Sequence, residues 1–125
     1  MTTHPTRTLW RPVGRAELRL IEAAAFRAFP PRLPEQPIFY PVMNFEYAEQ
    51  IARDWNSKDD RHEHLGYVTE FDILVEALAP YTEQQVGSSI HRELWVPAEH
   101  LDAFNEAILG DIRVVAEYYR GERIR

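Results

Sequence analysis

Alternation of apolar and polar positions predicts strands in four parts of the chain, in addition to the stretch at residues 88–97 described below. The clearest is GYVTEFDI at residues 66–73, where the two kinds of side chain alternate over the whole stretch. Shorter strands are predicted at residues 7–13, 38–42 and 112–119. Pro12 predicts that the first of them lies at a sheet edge or reaches its end there, because proline has no N–H to donate.

Apolar residues at helical spacing predict three amphipathic helices. The first covers residues 15–26, and the second covers residues 45–55 with Asn44 as its N-cap. The third begins near Pro97 and ends at Gly110, a residue type that commonly caps helices. The residues predicted to face inward are Leu18, Ile21 and Ala25 in the first helix, Phe45, Ala48, Ile51, Ala52 and Trp55 in the second, and Leu101, Phe104 and Ile108 in the third.

The order of these elements predicts the fold class. Strands and helices do not simply alternate along the chain, which favours an α+β protein. A chain of 125 residues is expected to form one domain. We therefore expect a single small domain with a split mixed sheet, about three helices, and loose termini at residues 1–7 and 120–125.

The stretch SSIHRELWVP at residues 88–97 is predicted to run as a strand into the start of the third helix. In a strand His91, Glu93 and Trp95 share one face, and the other face is apolar except for Arg92. Glu93 would then be half-buried between an imidazole and an indole, an environment typical of functional carboxylates. The same pattern also fits a glutamate on the solvent side of a sheet.

Prolines at three-residue spacing, Pro31, Pro34 and Pro37, follow the first helix. This is the spacing of polyproline ligands, which dock into aromatic grooves of partner proteins. The alternative is a rigid loop that leads into the next strand. Apolar flanking residues, among them Phe29 and Phe39, favour a loop that packs on its own domain.

Composition and charge limit the possible functions. Hydrophobic residues make up 45% and charged residues 27% of the chain, enough for a folded core. A net charge of -6 argues against a general nucleic-acid or anionic-membrane surface and leaves room for a local basic pocket. The absence of cysteine excludes disulfides, thiol catalysis and cysteine–zinc sites. No apolar signal core or membrane-length stretch is present, so a cytoplasmic protein is expected.

Two pairs of possible metal ligands have the same two-residue spacing: His62 with His64, and His91 with Glu93. Nothing in the sequence brings the first pair, in a polar loop, close to the second, and no metal site is predicted. The glycine-rich phosphate motifs and the G-x-S-x-G elbow are absent. A dinucleotide, if one binds, would not bind in the Rossmann manner.

Three segments together resemble a group of short bacterial proteins labelled "ADP-ribosylation/crystallin". The segments are LWRPVGRAELRLI, FPPRLPEQPIFYPVMNFEYAEQIARDW and HRELWVPAEHLDAFN, and the resemblance covers residues 9–116. The label suggests ADP-ribosyl glycohydrolases, which are larger, all-helical and rich in acidic metal clusters. This chain is too short and too rich in predicted strands for that class. The order of its elements is instead similar to that of the ADP-ribosyltransferase fold.

The resemblance implies an NAD cleft between the halves of a split sheet. The family has an arginine or histidine on an early strand, a small polar or aromatic residue on a middle strand and a glutamate on a late strand. Arg11, Tyr40 and Glu93 stand at these positions. The resemblance implies that Arg11 binds the pyrophosphate or ribose of NAD and that Tyr40 or Trp10 stacks on the nicotinamide. His91, two residues before the glutamate, completes the candidate cofactor-binding set.

Glu93 is the candidate catalytic residue. Cleavage of the nicotinamide–ribose bond passes through an oxocarbenium-like transition state, as in glycoside hydrolysis. A carboxylate beside the sugar can hold its 2′-hydroxyl and stabilise the developing positive charge. Structural alternatives remain at this stage: Arg11 could pair with a carboxylate such as Glu17, and Tyr40 could be a half-buried strand aromatic.

Three functions are therefore expected as alternatives. The first is an NAD-using ADP-ribosyltransferase-like enzyme that modifies a protein, a nucleic acid or a small molecule. The second is a non-catalytic module of the same fold that binds a nucleotide or a protein. The third is a partner protein in a toxin or phage-defence system, recognised through the proline segment and the loop at residues 56–65. A membrane partner is not expected, and nucleic acid is expected only as an acceptor.

Overall fold

A curled antiparallel sheet forms the centre of the protein. The computed structural model describes residues 4–125. The strands are β1 (Thr6–Gly14), β2 (Ile38–Phe39), β3 (Leu65–Leu74), β4 (Gln84–Gln85), β5 (Arg92–Glu93), β6 (Val96–Pro97), β7 (Ile108–Tyr119) and β8 (Glu122–Arg123). The four strands of the main sheet lie in the order β1–β3–β7–β8, while β2 pairs with β6 and β4 with β5 in two short ribbons. All these pairs are antiparallel, which corrects the expectation of a mixed sheet and keeps the α+β class.

Three α-helices accompany the strands, as predicted. They are α1 (Arg15–Ala23), α2 (Phe45–Asp54) and α3 (Leu101–Glu106), and short 3₁₀ turns lie at Asn56–Lys58, Asp60–His62, Val75–Leu78 and Ala98–His100. Asn44 caps α2 as expected, since its side chain accepts a hydrogen bond of 2.8 Å from the Tyr47 amide.

The core is divided by the main sheet. On one face, α1, α3 and the β2–β6 ribbon cover strand residues of β1, β3 and β7. The buried residues of this larger part include Leu9, Leu18, Ile21, Phe29, Phe39, Phe71, Val96 and Phe104. On the other face α2 covers a smaller part, made by Val42, Ala48, Ala52, Val68, Ala116 and Tyr118. The Phe29 ring lies 5.1 Å from the rings of both Phe39 and Phe71, so the start of the proline segment is anchored in the core.

The third helix is shorter than its apolar pattern predicts. It ends at Glu106, and Ile108 is already the first residue of β7, although it is buried as expected. Gly110 does not cap the helix but lies within β7 with a φ of 73°. Its surroundings form a bulge, since Asp72 of β3 faces Leu109 while Glu70 faces Arg113. The positive φ of Gly110 is therefore part of the bulge geometry and does not end a helix.

Two further predictions are corrected. Residues 88–97 do not form one strand, because β5 and β6 hold two residues each and belong to different ribbons. Trp55 follows the end of α2 and is 73% exposed, so it is not part of the inward face of that helix. Both termini that were expected to be loose are partly ordered, since Thr6 and Arg7 belong to β1 and residues 122–123 to β8, while residues 1–3 lie outside the described residues.

None of the helices in the described part of the chain has both the length and the apolar character needed to cross a membrane.

Candidate functional site

The three residues that the resemblance singled out line one cavity. Arg11 of β1, Tyr40 after β2 and Glu93 of β5 surround a volume of about 300 Å³. The remaining wall is formed by Pro12, Arg32, Val42 and Ile51. Since these residues come from distant parts of the chain, their meeting depends on how the segment around Val42 is held.

Backbone hydrogen bonds of residues 41–43 bring the cavity walls together. Val42 exchanges two hydrogen bonds, of 3.1 and 2.8 Å, with the backbone of Trp10 on the outer edge of β1. On its other side, the Leu94 amide donates to the Pro41 carbonyl at 2.9 Å. The Met43 amide donates to the Arg92 carbonyl at 3.0 Å. This segment therefore lies between β1 and the stretch that carries Glu93.

The Glu93 carboxylate is nearly buried and is held from two sides. The residue is only 8% exposed. Its Oε1 accepts a hydrogen bond of 2.6 Å from the Tyr47 hydroxyl, and its Oε2 accepts one of 2.8 Å from the Trp95 indole N–H. A carboxylate has about four acceptor positions, so both oxygens can still accept from a ligand.

The Tyr47 phenol is tuned by its surroundings. Burial raises its pKa well above the usual value, and the hydrogen bond to Glu93 and the charge of that carboxylate raise it further. Its ring also lies 4.9 Å from the His91 ring. Sequence reasoning missed Tyr47, because its role depends on the packing of α2 against β5. Its position three residues after the N-cap of α2 gives no signal of this contact.

His91 lies in a neighbouring cavity of about 520 Å³ rather than beside Glu93. The Ser88 amide donates to its Nδ1 at 3.1 Å, so Nε2 carries the proton of the neutral ring and donates to Gln50 Oε1 at 2.8 Å. This second cavity also contacts Trp55 and Val86, both exposed. Ile51 of α2 lines both cavities and is the wall residue that they share.

Arg11 is committed to an ion pair. Its Nε and one terminal nitrogen donate to the two carboxylate oxygens of Glu17 at 2.7 and 2.8 Å, and the other terminal nitrogen donates to the Tyr40 carbonyl at 3.3 Å. The guanidinium also stacks on the Phe39 ring at 4.6 Å. Arg11 is 8% exposed, so it fixes the cavity wall and has few donors left for a ligand.

Arg32 is the cavity residue that sequence reasoning missed. Its Nε donates to the Ile38 carbonyl at 3.1 Å, and its side chain is half-buried. Burial, followed by the positive charge of Arg11, lowers the pKa of Arg32. The available signal was its place in the proline segment, six positions before the start of β2, which leads to Tyr40.

Trp10 is not among the residues that line either of these cavities. Alternation along β1 puts it on the opposite face from Arg11, where its indole N–H donates to Glu70 Oε2 at 3.1 Å. The structure therefore does not bring Trp10 together with Arg11, Tyr40 and Glu93. Within residues 4–125, no group of three or more histidine, cysteine or acidic side chains could hold a metal ion.

No model of a known protein family matches the sequence. A search of curated proteins finds no match either.

Proposed function

We propose that the cavity between Arg11, Tyr40 and Glu93 binds NAD and that the protein is an ADP-ribosyltransferase-like enzyme. The observation that supports this most strongly is the convergence of the three residues on one cavity, with the Glu93 carboxylate nearly buried and oriented by Tyr47 and Trp95. Convergence is what the resemblance requires, and residues of purely structural roles would not need to share a cavity.

The dimensions and lining of the site suit a dinucleotide. The cavities of about 300 and 520 Å³ share Ile51 as a wall residue, and a dinucleotide that fills both would pass over this side chain. Exposed aromatic rings lie in the walls of the two cavities: Tyr40 is 40% exposed, and Trp55 is 73% exposed. Such rings can stack on the nicotinamide or the adenine.

In the proposed reaction, Glu93 accepts a hydrogen bond from the 2′-hydroxyl of the nicotinamide ribose. The bond between C1′ and the nicotinamide nitrogen breaks, and its electron pair leaves with the nicotinamide. A nucleophile of the acceptor then forms a bond to C1′ and releases its proton to the solvent. The carboxylate stabilises the positive charge that develops on the sugar, and its orientation by Tyr47 and Trp95 limits the reorganisation that this needs.

A second candidate is a non-catalytic module that binds a nucleotide or a protein. The observation in its favour is that Glu93 and Arg11 already have partners within the protein, namely Tyr47 and Trp95 for the carboxylate and Glu17 for the guanidinium. A nucleotide-binding module would bind NAD or a related nucleotide without releasing nicotinamide, whereas a partner in a toxin or defence system would bind a protein.

The deciding experiment measures nicotinamide release from NAD by wild type and by Glu93→Gln. We expect release by wild type and a loss of at least about 100-fold in the variant, because an oriented charge at the reacting sugar is removed. Glu99→Gln is the matched control, since Glu99 is exposed and does not line the cavity. Its rate should equal that of wild type.

Calorimetry with NAD separates the remaining outcomes. Binding without nicotinamide release by wild type would support the non-catalytic module. Neither binding nor release would overturn the NAD proposal and would favour a module that binds a protein. If Glu93→Gln releases nicotinamide as fast as wild type, the protein cleaves NAD but Glu93 has no part in the reaction.

A further inference from the structure

Arg32 differs from the other arginines in having no carboxylate partner. Of the thirteen arginines, all of which belong to the described residues, every one except Arg32 and Arg120 forms an ion pair. Arg120 is exposed, and its guanidinium lies 5.4 Å from the ring of Tyr119. Arg32, in contrast, is half-buried in a cavity wall.

The guanidinium of Arg32 has donors to spare. Its single hydrogen bond within residues 4–125 runs from Nε to the Ile38 carbonyl at 3.1 Å, which leaves the terminal N–H groups without an acceptor there. These free donors of a charged group can form charge-assisted hydrogen bonds to an anion, which are about twice as strong as neutral ones. The planar arrangement of these donors fits phosphate oxygens.

Arg11 lies close to Arg32 but is less available to an anion. Three of its five N–H donors bind the two oxygens of Glu17 and the Tyr40 carbonyl. Its charge nevertheless acts on Arg32 closely enough to lower the pKa of Arg32. Arg32 stays protonated, because an arginine does not lose its proton in a protein. An anion beside Arg32 thus meets a positive charge that has no carboxylate partner, while the charge of the nearby Arg11 is offset by Glu17.

The cavity has Glu93 in its wall as well as Arg32. A carboxylate that accepts hydrogen bonds suits hydroxyl groups, and an arginine suits phosphate. We infer that Arg32 binds a phosphate of the ligand, so that the cavity takes a phosphorylated sugar with a hydroxyl on Glu93. The assignment of the sugar, and of the NAD pyrophosphate as the group at Arg32, rests on the proposed function. The phosphate site at Arg32 does not depend on that function.

The proline segment holds Arg32 in place. Phe29, at its start, is buried in the core, and the side chain of Asn105 accepts from the Phe29 amide and donates to its carbonyl, both at 3.0 Å. Pro31 precedes Arg32 directly and fixes its own φ, which lowers the conformational freedom of the chain there. The segment thus acts as a rigid support for Arg32, and no partner groove is needed to explain it.

The test is calorimetry with two probes, inorganic pyrophosphate and NAD, on the folded full chain. Arg32→Gln should weaken the binding of both probes at least about 10-fold, because it removes a charge-assisted contact. Arg120→Gln is the control, since it removes the same charge at an exposed position and should leave both Kd values unchanged. Arg32→Lys should recover part of the affinity, because lysine keeps the charge and loses the planar donors.

The two probes separate failure of the inference from failure of the proposed function. Pyrophosphate binding that depends on Arg32, without NAD binding, would support the phosphate site and overturn the NAD proposal. NAD binding that is equally strong in wild type and Arg32→Gln would overturn the inference and leave the proposed function standing. Absence of pyrophosphate and NAD binding in wild type would overturn both. Circular dichroism and thermal melting establish that each variant is folded.

Discussion

The hydroxyl of Tyr47, on α2, donates a 2.6 Å hydrogen bond to the carboxylate of Glu93, on the short strand β5. The two residues are 46 positions apart in the chain. Their contact joins the helix on one face of the sheet to the segment that carries the candidate catalytic carboxylate. It therefore links the ionisation of a tyrosine to the presence of a charge at Glu93.

Replacing Glu93 by glutamine should lower the pKa of Tyr47. Burial, the hydrogen bond to Glu93 and the carboxylate charge all raise that pKa in the wild type, and the substitution removes the last of these. A tyrosinate absorbance titration of wild type and variant measures the change. Tyr47→Phe identifies which part of the titration belongs to Tyr47. An identical Tyr47 titration in both proteins would contradict the contact.

Stability should fall with rising pH above about pH 10, the ordinary pKa of tyrosine. Burial, followed by a short hydrogen bond to Glu49 and its charge, raises the pKa of Tyr118 to about 12. Between these two values the unfolded chain loses the proton and the folded one keeps it, so unfolding is favoured as pH rises. The slope should approach about 1.4 kcal/mol per pH unit for this group.

Urea unfolding at a series of alkaline pH values measures this dependence. Tyr118→Phe should reduce the slope, because the phenol that titrates is gone. Tyr119→Phe is the neighbouring control at an exposed position, and its slope should match that of wild type. Equal slopes in all three proteins would show that Tyr118 does not titrate differently in the folded state.

The elements that could be predicted from the sequence are those fixed by local pattern. Asn44 stands before an apolar helical repeat, and it caps α2 as expected. Trp55 continues the same repeat, but the helix ends at Asp54 and leaves the indole exposed beside the second cavity. Gly110 looks like a helix cap, although pairing with β3 makes it part of a bulge. Local spacing predicts an element and carries less information about where it stops.

The site was predictable only as far as the resemblance named its residues. Arg11, Tyr40 and Glu93 meet in one cavity because Val42 pairs with Trp10 on one side and with the Glu93 stretch on the other. No periodicity reveals such isolated pairings. Arg32 was not predicted for a related reason. Its distinguishing feature is that it has no carboxylate partner, and this can be seen only in the folded protein.

Removal of Glu17 should destabilise the protein more than removal of Glu93. Glu17→Ala leaves the nearly buried Arg11 without its carboxylate, which should cost about 2 kcal/mol or more. Glu93→Ala should leave the melting temperature unchanged or raise it if Glu93 serves catalysis, because active sites trade stability for function. Of its two former donors, Trp95 is 45% exposed and can turn to water, and Tyr47 is half-buried. Thermal melting of both variants compares them directly, and a larger drop for Glu93→Ala would mark Glu93 as structural.

Two glycines should respond differently to alanine. At Gly66 a Cβ would meet the backbone carbonyl of Ala52 in α2, which cannot move without shifting the helix. At Gly14 the Cβ would meet the ring of His62, a side chain on a short 3₁₀ turn. We expect Gly66→Ala to cost about 1–3 kcal/mol and Gly14→Ala less. Adding His62→Ala should restore much of the stability lost in Gly14→Ala, and failure to do so in a double-mutant cycle would contradict the contact.

The two hydrogen bonds between the Asn105 side chain and the Phe29 backbone should affect anion binding at Arg32 although they lie outside the cavity. Asn105 bonds both the amide and the carbonyl of Phe29, and it does not line the cavity that contains Arg32. Asn105→Ala should lower stability by about 1–3 kcal/mol, because two backbone groups lose their partners. It should also weaken pyrophosphate binding several-fold, since Arg32 would lose part of its fixed support.

Hydrogen exchange at the Phe29 amide reports the loosening, and calorimetry reports the affinity. Asn105→Asp retains an acceptor for the amide but turns a carboxylate oxygen toward the Phe29 carbonyl in place of the donor, so its effects should be at least as large as those of Asn105→Ala. Faster exchange at Phe29 with unchanged pyrophosphate affinity would mean that Arg32 is positioned by its bond to the Ile38 carbonyl alone. In that case the proline segment would be a connection between α1 and β2 with no part in holding the phosphate site.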